Sequence, residues 1–224
     1  MTIPKASHEE SPRVILASSS PSRLSILRSA GIEPIVRVSG VDEDAAVDQL
    51  RAEFAEADRT PQPADIVSHL AQAKASAALT EEVKSELGTS GVLIGGDSML
   101  LLNGKLQGKP HTEEETVRRW RQQRGKAAEL ITGHAVYHRG DWYVGARSTI
   151  VNFADATDRD IEAYAATGEP WGCAGAFTLE ALGGWFIDRI DGDPSGVIGL
   201  SLPLVRSAFE HFGLNISDYW NRQR

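Results

Sequence analysis

The sequence is poor in cysteine and has no long apolar run. One cysteine among 224 residues excludes a disulfide framework and a zinc site built from cysteines. The longest apolar runs, at residues 14–17 and 99–102, are far too short to span a bilayer. The segment 1–12 is polar and contains acidic residues, so it lacks the pattern of a signal peptide. We therefore expect a cytoplasmic protein that has no membrane partner.

Positive charge is also scarce. Lysine and arginine number 23 against 31 aspartate and glutamate residues, which gives a net charge of −8. This balance, together with the lack of aromatic residues interleaved with basic ones, argues against a nucleic-acid partner. It does not exclude a local basic pocket for a small phosphorylated ligand. Hydrophobic residues at 41% and charged residues at 24% are typical of a globular domain.

The commonest catalytic signatures are absent. The chain contains no G-x-x-x-x-G-K-[ST], G-x-G-x-x-G, G-x-S-x-G or H-E-x-x-H motif. Its six histidines share no spacing typical of metal ligands. These absences exclude the standard nucleotide-binding loops, the esterase nucleophile elbow and the zinc-protease site.

Apolar periodicity and turn residues predict a mixed α/β or α+β fold rather than a regular doubly wound sheet, because short hairpins occur between the helices. We predict strands over residues 13–17, 35–39, 92–102, 128–138 and 141–153, and a strand pair over 176–190. We predict helices over residues 20–31, around 47–54, and over 64–87, 112–123, 157–168 and 202–212. No linker or repeat divides the chain, so residues 1–224 should form one domain with a flexible tail over 1–12.

The segment LASSSPSR at residues 16–23 is the first candidate for a ligand-binding site. A strand that ends in hydroxyl residues at a helix N-terminus makes an anion site, because free N–H groups and the helix dipole point outward. Arg23 adds a planar guanidinium suited to phosphate. The alternative is plain capping by Ser20 beside an exposed arginine, and this segment alone favours that alternative.

Two lysines and one aspartate complete the candidates. Lys74 falls within an apolar stripe of a predicted helix, so it must either extend its amine to water or meet an anion. The stripe consists of Ile66, Val67, Leu70, Ala77 and Ala78. Asp97 follows Gly95-Gly96 at the end of an apolar strand, where it would bind a metal, act as a base or cap a bulge. Lys109 lies in a rigid turn between a glycine and a proline.

Taken together, these segments resemble the Maf family of nucleoside triphosphate pyrophosphatases. The matching pieces are LASSSPSR at 16–23, AQAKA at 71–75, GGDSML at 95–100, GKP at 108–110, ITG at 131–133, YAATGEPWGCAGAF at 164–177 and GDPSGVIGLSLPL at 192–204. The resemblance implies two lobes around an elongated mixed sheet, like that of inosine triphosphate pyrophosphatases, with the site in the cleft. It also implies hydrolysis of a nucleoside triphosphate to the monophosphate and pyrophosphate, assisted by Mg²⁺, Mn²⁺ or Co²⁺, and a homodimer.

The resemblance also assigns roles to individual residues. Asp97 matches the catalytic aspartate, and Glu43 matches a metal-supporting acid that acts beside it. The phosphate-binding positions correspond to Ser20, Arg23, Lys74 and Lys109. Ser22 and Ser98 depart from the usual family residues and are therefore candidates for base selection. Glu180 matches a position that carries glutamine in one branch of the family and glutamate in another.

An alternative function of a different class requires the same pocket. A regulator of cell division or septum formation would bind nucleotide without turning it over. Because binding alone does not require a base, the presence of Asp97 beside three cations favours the enzyme.

Overall fold

The computed structural model describes residues 12–38 and 40–221. The predicted tail over residues 1–12 lies outside the described residues except for Pro12. Within the described residues, seven strands form one mixed sheet in the order β2-β1-β3-β5-β6-β7, with β4 paired to β3. This arrangement confirms the prediction of a mixed α/β fold with an elongated sheet and flanking helices.

The strands are β1 Val14–Leu16, β2 Ile35–Val36, β3 Val92–Leu102, β4 Lys105–Gln107, β5 Ala127–His138, β6 Asp141–Phe153 and β7 Ile187–Asp191. The helices are α1 Pro21–Ser29, α2 Glu43–Glu56, α3 Pro63–Ala78, α4 Glu81–Leu87, α5 Glu113–Gln123, α6 Asp158–Ala166, α7 Pro194–Ile198 and α8 Leu202–His211. Short 3₁₀ turns lie at Glu169–Gly172, Ala174–Ala176, Leu182–Phe186 and Ile216–Tyr219.

Short polar side chains start most of these helices. The hydroxyl or carboxylate of the residue before the helix accepts a main-chain N–H of the first turn, which satisfies a donor that otherwise has no partner. These capping residues are Ser20, Asp42, Thr80, Thr112, Thr157, Asp193 and Ser201.

Alternation along β3 sends its side chains to opposite sides of the sheet. Leu93 and Asp97 face α3, whereas Ile94 and Ser98 face the side that α1 and α8 cover. Two adjacent residues of one strand, Asp97 and Ser98, therefore supply polar groups to opposite faces of the sheet.

One edge of β3 is shared by two short strands. β1 pairs with residues 92–94 and β4 with residues 100–102, while β5 covers the opposite edge from 93 to 101. Between them, the edge of β3 at residues 95–99 pairs with no strand of the described chain. Asp97 lies at the centre of this opening, which can be approached from either face of the sheet.

Two predicted elements are wrong. The single helix expected over 64–87 is two helices, because the Thr80 hydroxyl accepts the N–H of Val83 and starts α4 anew. The strand pair expected over 176–190 is a 3₁₀ turn at Leu182–Phe186 followed by β7 alone. Gly183 packs so closely on Thr178 that an added Cβ would lie 2.4 Å from its carbonyl oxygen, which favours a tight loop over a hairpin.

Candidate active site

The opening beside β3 leads into a cleft of about 270 Å³. Its walls come from the loop before α1, the N-terminus of α2, one face of α3, the centre of β3, the loop after β4 and residues 172–180. The cleft brings together all the site residues that the sequence analysis named: Ser20, Ser22, Arg23, Glu43, Lys74, Asp97, Ser98, Lys109 and Glu180.

Lys74 joins two carboxylates in this cleft. Its Nζ lies 2.5 Å from Oδ1 of Asp97 and 2.8 Å from Oε1 of Glu43. The Asp97 side chain is 9% exposed and the Glu43 side chain is 52% exposed. The second oxygen of Asp97, Oδ2, is buried and has no hydrogen-bond partner among the described residues. Such an oxygen normally takes its hydrogen bond or coordination from a water, an ion or a ligand.

Two glycines bring α3 close enough to the sheet for this contact. A Cβ at Gly95 would lie 2.7 Å from the carbonyl oxygen of Ala71, and one at Gly133 of β5 would lie 2.2 Å from that of Val67. A side chain at either position would push α3 away from the sheet. Lys74 lies one turn after Ala71 and therefore reaches the open edge of β3.

Lys74 occupies the margin of the apolar face of α3 rather than its middle. Ala77, which the sequence analysis placed in the stripe, is exposed, and the Lys74 side chain is 21% exposed. The buried residues of α3 are Ile66, Val67, Leu70, Ala71, Ala75 and Ala78. The lysine therefore satisfies both predicted options, since its stem packs on the helix face while its amine meets anions.

Arg23 enters the cleft from the opposite face of the sheet. Its Nε donates to the carbonyl of Gly199 at 2.7 Å, its Nη1 to the hydroxyl of Ser18 at 3.0 Å and its Nη2 to that of Ser98 at 3.1 Å. Burial lowers the pKa of Arg23, and two nearby carboxylates oppose that effect. An arginine keeps its charge under such conditions, so the cleft holds a fixed cation on this side.

Ser20 caps α1, as the interpretation of this segment as a plain helix cap predicts. Its hydroxyl accepts the main-chain N–H of Arg23 at 3.4 Å. The arginine is not the exposed side chain of that interpretation, because it is partly buried and held by three acceptors. Capping and a cation at the helix N-terminus therefore coexist here.

The far wall of the cleft carries Lys109 and Glu180, both exposed. Oε2 of Glu180 accepts the N–H of Leu179 at 3.1 Å. The Lys109 ammonium forms no salt bridge with a residue that the structure describes. Phe177 and Thr178, both buried, form the wall behind Glu180.

Cys173 lines this wall and is only partly buried. Burial raises the pKa of Cys173 to about 11, and the charges of Glu180 and Glu169 add to this effect. The thiol is therefore protonated at neutral pH and is a poor nucleophile.

Glu169 organises the loop that carries this wall, a role that sequence reasoning missed. Its carboxylate accepts hydrogen bonds from the hydroxyls of Thr178 at 2.5 Å and Tyr164 at 3.2 Å, and from the N–H groups of Gly183 at 3.1 Å and Leu182 at 3.3 Å. Burial favours the neutral acid, but these four donors outweigh it and lower the pKa of Glu169. An acid beside a proline gives no sequence signal of this role, since its partners lie 5 to 14 residues away.

The residues present fit a metal ion only in combination with ligand oxygens. The described part of the chain holds no cluster of three or more His, Cys, Asp or Glu side chains suited to a metal. Asp97 and Glu43 supply two carboxylates, and Oδ2 of Asp97 is buried with no hydrogen-bond partner in the described part of the chain. One or two carboxylates completed by phosphate oxygens and water is a usual environment for Mg²⁺.

The described helices include none that combines the length and apolar character needed to cross a membrane.

Known proteins match nearly the whole chain. The family model described as Maf-like protein covers residues 13–212. A nucleoside triphosphate pyrophosphatase of Corynebacterium efficiens is 58% identical over 210 residues, which are 94% of this chain and 100% of the relative. The Corynebacterium diphtheriae protein of the same name is 59% identical over 93% of this chain and 98% of its own length.

A more distant relative with that name, from Rhodococcus jostii, is 49% identical over 92% of this chain and 95% of its own length. Among solved structures, the Staphylococcus aureus Ham1 protein matches 64% of this chain and 73% of its own length, with 14% identity and a TM-score of 0.38. The family model and the relatives cover the segments that build the cleft, and the chain belongs to the Maf family.

Proposed function

We propose that this protein hydrolyses nucleoside triphosphates to the monophosphate and pyrophosphate. The relatives at 58% and 59% identity bear the name of that activity. The observation that carries the proposal is the buried carboxylate of Asp97, in a cleft flanked by Arg23 and Lys109. One of its oxygens contacts Lys74, and the other has no hydrogen-bond partner among the residues that the structure describes.

The cations of the cleft suit a triphosphate. Such a group carries about four negative charges, which must be balanced before a water can attack phosphorus. Arg23 approaches from one face of the sheet, Lys74 from the other, and Lys109 from the loop after β4. The Ser20 hydroxyl and the N–H of Ser22 add neutral donors beside Arg23, since Pro21 has no N–H and that of Arg23 is donated to Ser20. This local set of donors is consistent with a protein whose net charge is −8.

The proposed reaction is an in-line displacement at the α-phosphorus. Asp97 orients a water and accepts a proton as the water oxygen bonds to phosphorus. The bond from the α-phosphorus to the bridging oxygen breaks, and that oxygen leaves with pyrophosphate. Lys74 and Lys109 neutralise the charge that develops on the leaving group. When substrate enters, its oxygens compete with the carboxylates for Lys74.

A divalent cation belongs to the same proposal. Asp97 and Glu43 would hold it together with substrate oxygens, and the ion would supply Lewis-acid stabilisation of the charge on phosphate. Mg²⁺, Mn²⁺ and Co²⁺ are the ions whose support of hydrolysis is to be compared.

Base selection is assigned to Glu180, with Ser22 and Ser98 as modulators. An ionised glutamate only accepts hydrogen bonds, so it favours base edges that present N–H donors, such as guanine or cytosine. A cationic methylated guanine gains a further attraction. The Ser98 hydroxyl is engaged by Arg23 and lies 2.9 Å from the hydroxyl of Thr132, so its contribution would act through the arginine side of the cleft.

A panel of canonical, methylated and deaminated triphosphates with each of the three cations tests the proposal. We expect pyrophosphate to be the released product, and orthophosphate to appear only after a separate inorganic pyrophosphatase is added. Direct release of orthophosphate would contradict cleavage at the α-phosphorus. Nucleotide binding without turnover under all conditions would favour the regulator of cell division instead.

Asp97→Asn sharpens the same test. It keeps the size of the side chain and removes its charge, so kcat should fall by about 10²- to 10⁴-fold. The melting temperature should change little, because Lys74 keeps Glu43 as an ion-pair partner. Activity within a few-fold of the unmodified protein would refute the role of Asp97. The homodimer is a separate part of the proposal, and light scattering of the purified protein would test it.

A further inference from the structure

Helix α5 holds the loop that carries Lys109 through one arginine. Nη1 of Arg119 donates to the carbonyl of Gly108 at 2.6 Å, and Nη2 lies 3.5 Å from the carbonyl of Lys109. The Arg119 side chain is only 13% exposed, although it lies on a helix that is largely charged. A long cationic side chain held against main-chain carbonyls has lost much of its rotamer freedom, so this contact fixes the loop.

Glu115 holds Arg119 in turn. Its Oε1 lies 2.7 Å from Nε of Arg119, one helical turn away. Hydrogen bonds from Arg118 and Arg119 lower the pKa of Glu115 to about 2, although partial burial opposes this. The carboxylate is therefore ionised throughout the neutral range, and Arg119 has a permanent partner.

The carbonyl of Gly108 also joins two segments of the far wall of the cleft. It accepts the N–H of Gly175 at 3.3 Å in addition to the guanidinium of Arg119. Gly175 belongs to the segment between Cys173 and Phe177, which lines the same wall as Lys109. Since the Lys109 ammonium forms no salt bridge with the described residues, the position of its main chain sets which part of the cleft the side chain can reach.

We propose that Arg119 is a positioning residue that fixes the main chain of Gly108 and Lys109, so that the Lys109 ammonium occupies the phosphate side of the cleft before substrate binds. The inference rests on the proposed function, in which Lys109 contacts phosphate. Its physical basis is preorganisation, because a loop that is already ordered loses less conformational entropy when the ligand binds. A displacement of about 1 Å at a reacting group costs up to about 100-fold in rate.

The matched pair Arg119→Met and Arg118→Met tests this inference. Arg118 binds the same carboxylate of Glu115 on the same helix, but it is 57% exposed and forms no hydrogen bond with the loop among the described residues. We expect Arg119→Met to lower kcat/KM by about 10- to 100-fold for every base and to weaken inhibition by pyrophosphate in parallel. Arg118→Met should leave both within about two-fold, as is usual for an exposed ion pair.

A double-variant cycle with Lys109→Met separates positioning from general stability. If Arg119 acts through Lys109, adding Arg119→Met to Lys109→Met should cost less than two-fold further, because the cation to be positioned is gone. Independent multiplication of the two effects would overturn the inference. So would equal behaviour of Arg119→Met and Arg118→Met, or a change in the ratio of kcat/KM among bases.

Two outcomes distinguish failure of the inference from failure of the proposed function. If Lys109→Met alone retains full activity, Lys109 does not bind phosphate, and the inference falls with that part of the proposal. If Lys109→Met is impaired but Arg119→Met is not, only the inference is refuted. Should Arg119→Met melt below the assay temperature, Arg119→Lys replaces it in the same cycle. We expect Arg119→Lys to lower kcat/KM several-fold, and this loss should again disappear in the Lys109→Met background.

Discussion

Replacing Lys74 with methionine should weaken the fold as well as the activity. Lys74 is the donor to Oδ1 of Asp97 at 2.5 Å, and the other oxygen of that carboxylate has no partner among the described residues. Methionine fills the space of the lysine stem but donates no hydrogen bond. The variant therefore leaves a carboxylate that is 9% exposed without its cation.

The magnitude follows from the burial of both partners. Breaking a fully buried ion pair by removing one member costs about 3–5 kcal/mol. The Lys74 side chain is 21% exposed, so water can reach part of the pair, and about 2–3 kcal/mol is a reasonable expectation. For a chain of 224 residues this corresponds to a fall in melting temperature of about 4–12 °C.

A thermodynamic cycle in chelator-containing buffer isolates the pair. Melting temperatures of Lys74→Met, Asp97→Asn and the double variant should show that Lys74→Met costs about 1 kcal/mol or less once Asp97 carries no charge. Lys84→Met is the control, because Lys84 pairs with an exposed Glu81 on the surface of α4 and should change stability by no more than about 0.5 kcal/mol. An unchanged or raised melting temperature for Lys74→Met would refute the reasoning.

Three other predictions concern pH, packing and base selection. Burial lowers the pKa of His134 from 6.5 to about 3. Below pH 6.5 the unfolded chain therefore binds a proton that the folded chain does not. The free energy of unfolding should fall by about 2 kcal/mol by pH 5 as a result. His134→Gln should reduce that fall in urea unfolding at pH 7 and 5, and an unaltered pH dependence would contradict the assignment. Gly133→Ala should lower stability by about 1–3 kcal/mol through its 2.2 Å approach to Val67, whereas Gly145→Ala, with 3.7 Å to its nearest contact, should be nearly neutral in thermal melts. Glu180→Gln should shift kcat/KM toward uridine or thymidine triphosphate by about 5- to 150-fold, and unchanged ratios among bases would show that Glu180 does not read the base.

Local chemistry made much of the fold predictable from the sequence. Ser20 followed by proline predicts the start of α1, and Thr112 and Thr157 predict the starts of α5 and α6. The Arg139-Gly140 turn joins β5 and β6 as expected, with both residues at positive φ. Each of these features depends on residues within a few positions of one another, so the sequence pattern contains the whole cause.

Features that depend on distant residues escaped prediction. From the helical wheel alone, Lys74→Met should suit an apolar stripe, and only the contact with Asp97, 23 residues away, reverses that expectation. Glu169 and Arg119 look like ordinary surface charges in the sequence. Both contact main-chain groups of loops in addition to side chains, and main-chain positions leave no signature in the identity of the residues.

The opening in the sheet explains why the candidate residues lie so far apart in the sequence. Because β1 and β4 share one edge of β3 and no strand of the described chain pairs with the middle of that edge, ligand groups there can be contacted from both faces. Lys74 reaches the opening from the α3 side and Arg23 from the α1 side, and adjacent residues of β3, Asp97 and Ser98, point to the two sides. The sheet therefore separates the two cations, and each is held by its own set of acceptors. A change that moves α3 alone should remove Lys74 from the cleft while the bonds of Arg23 stay intact.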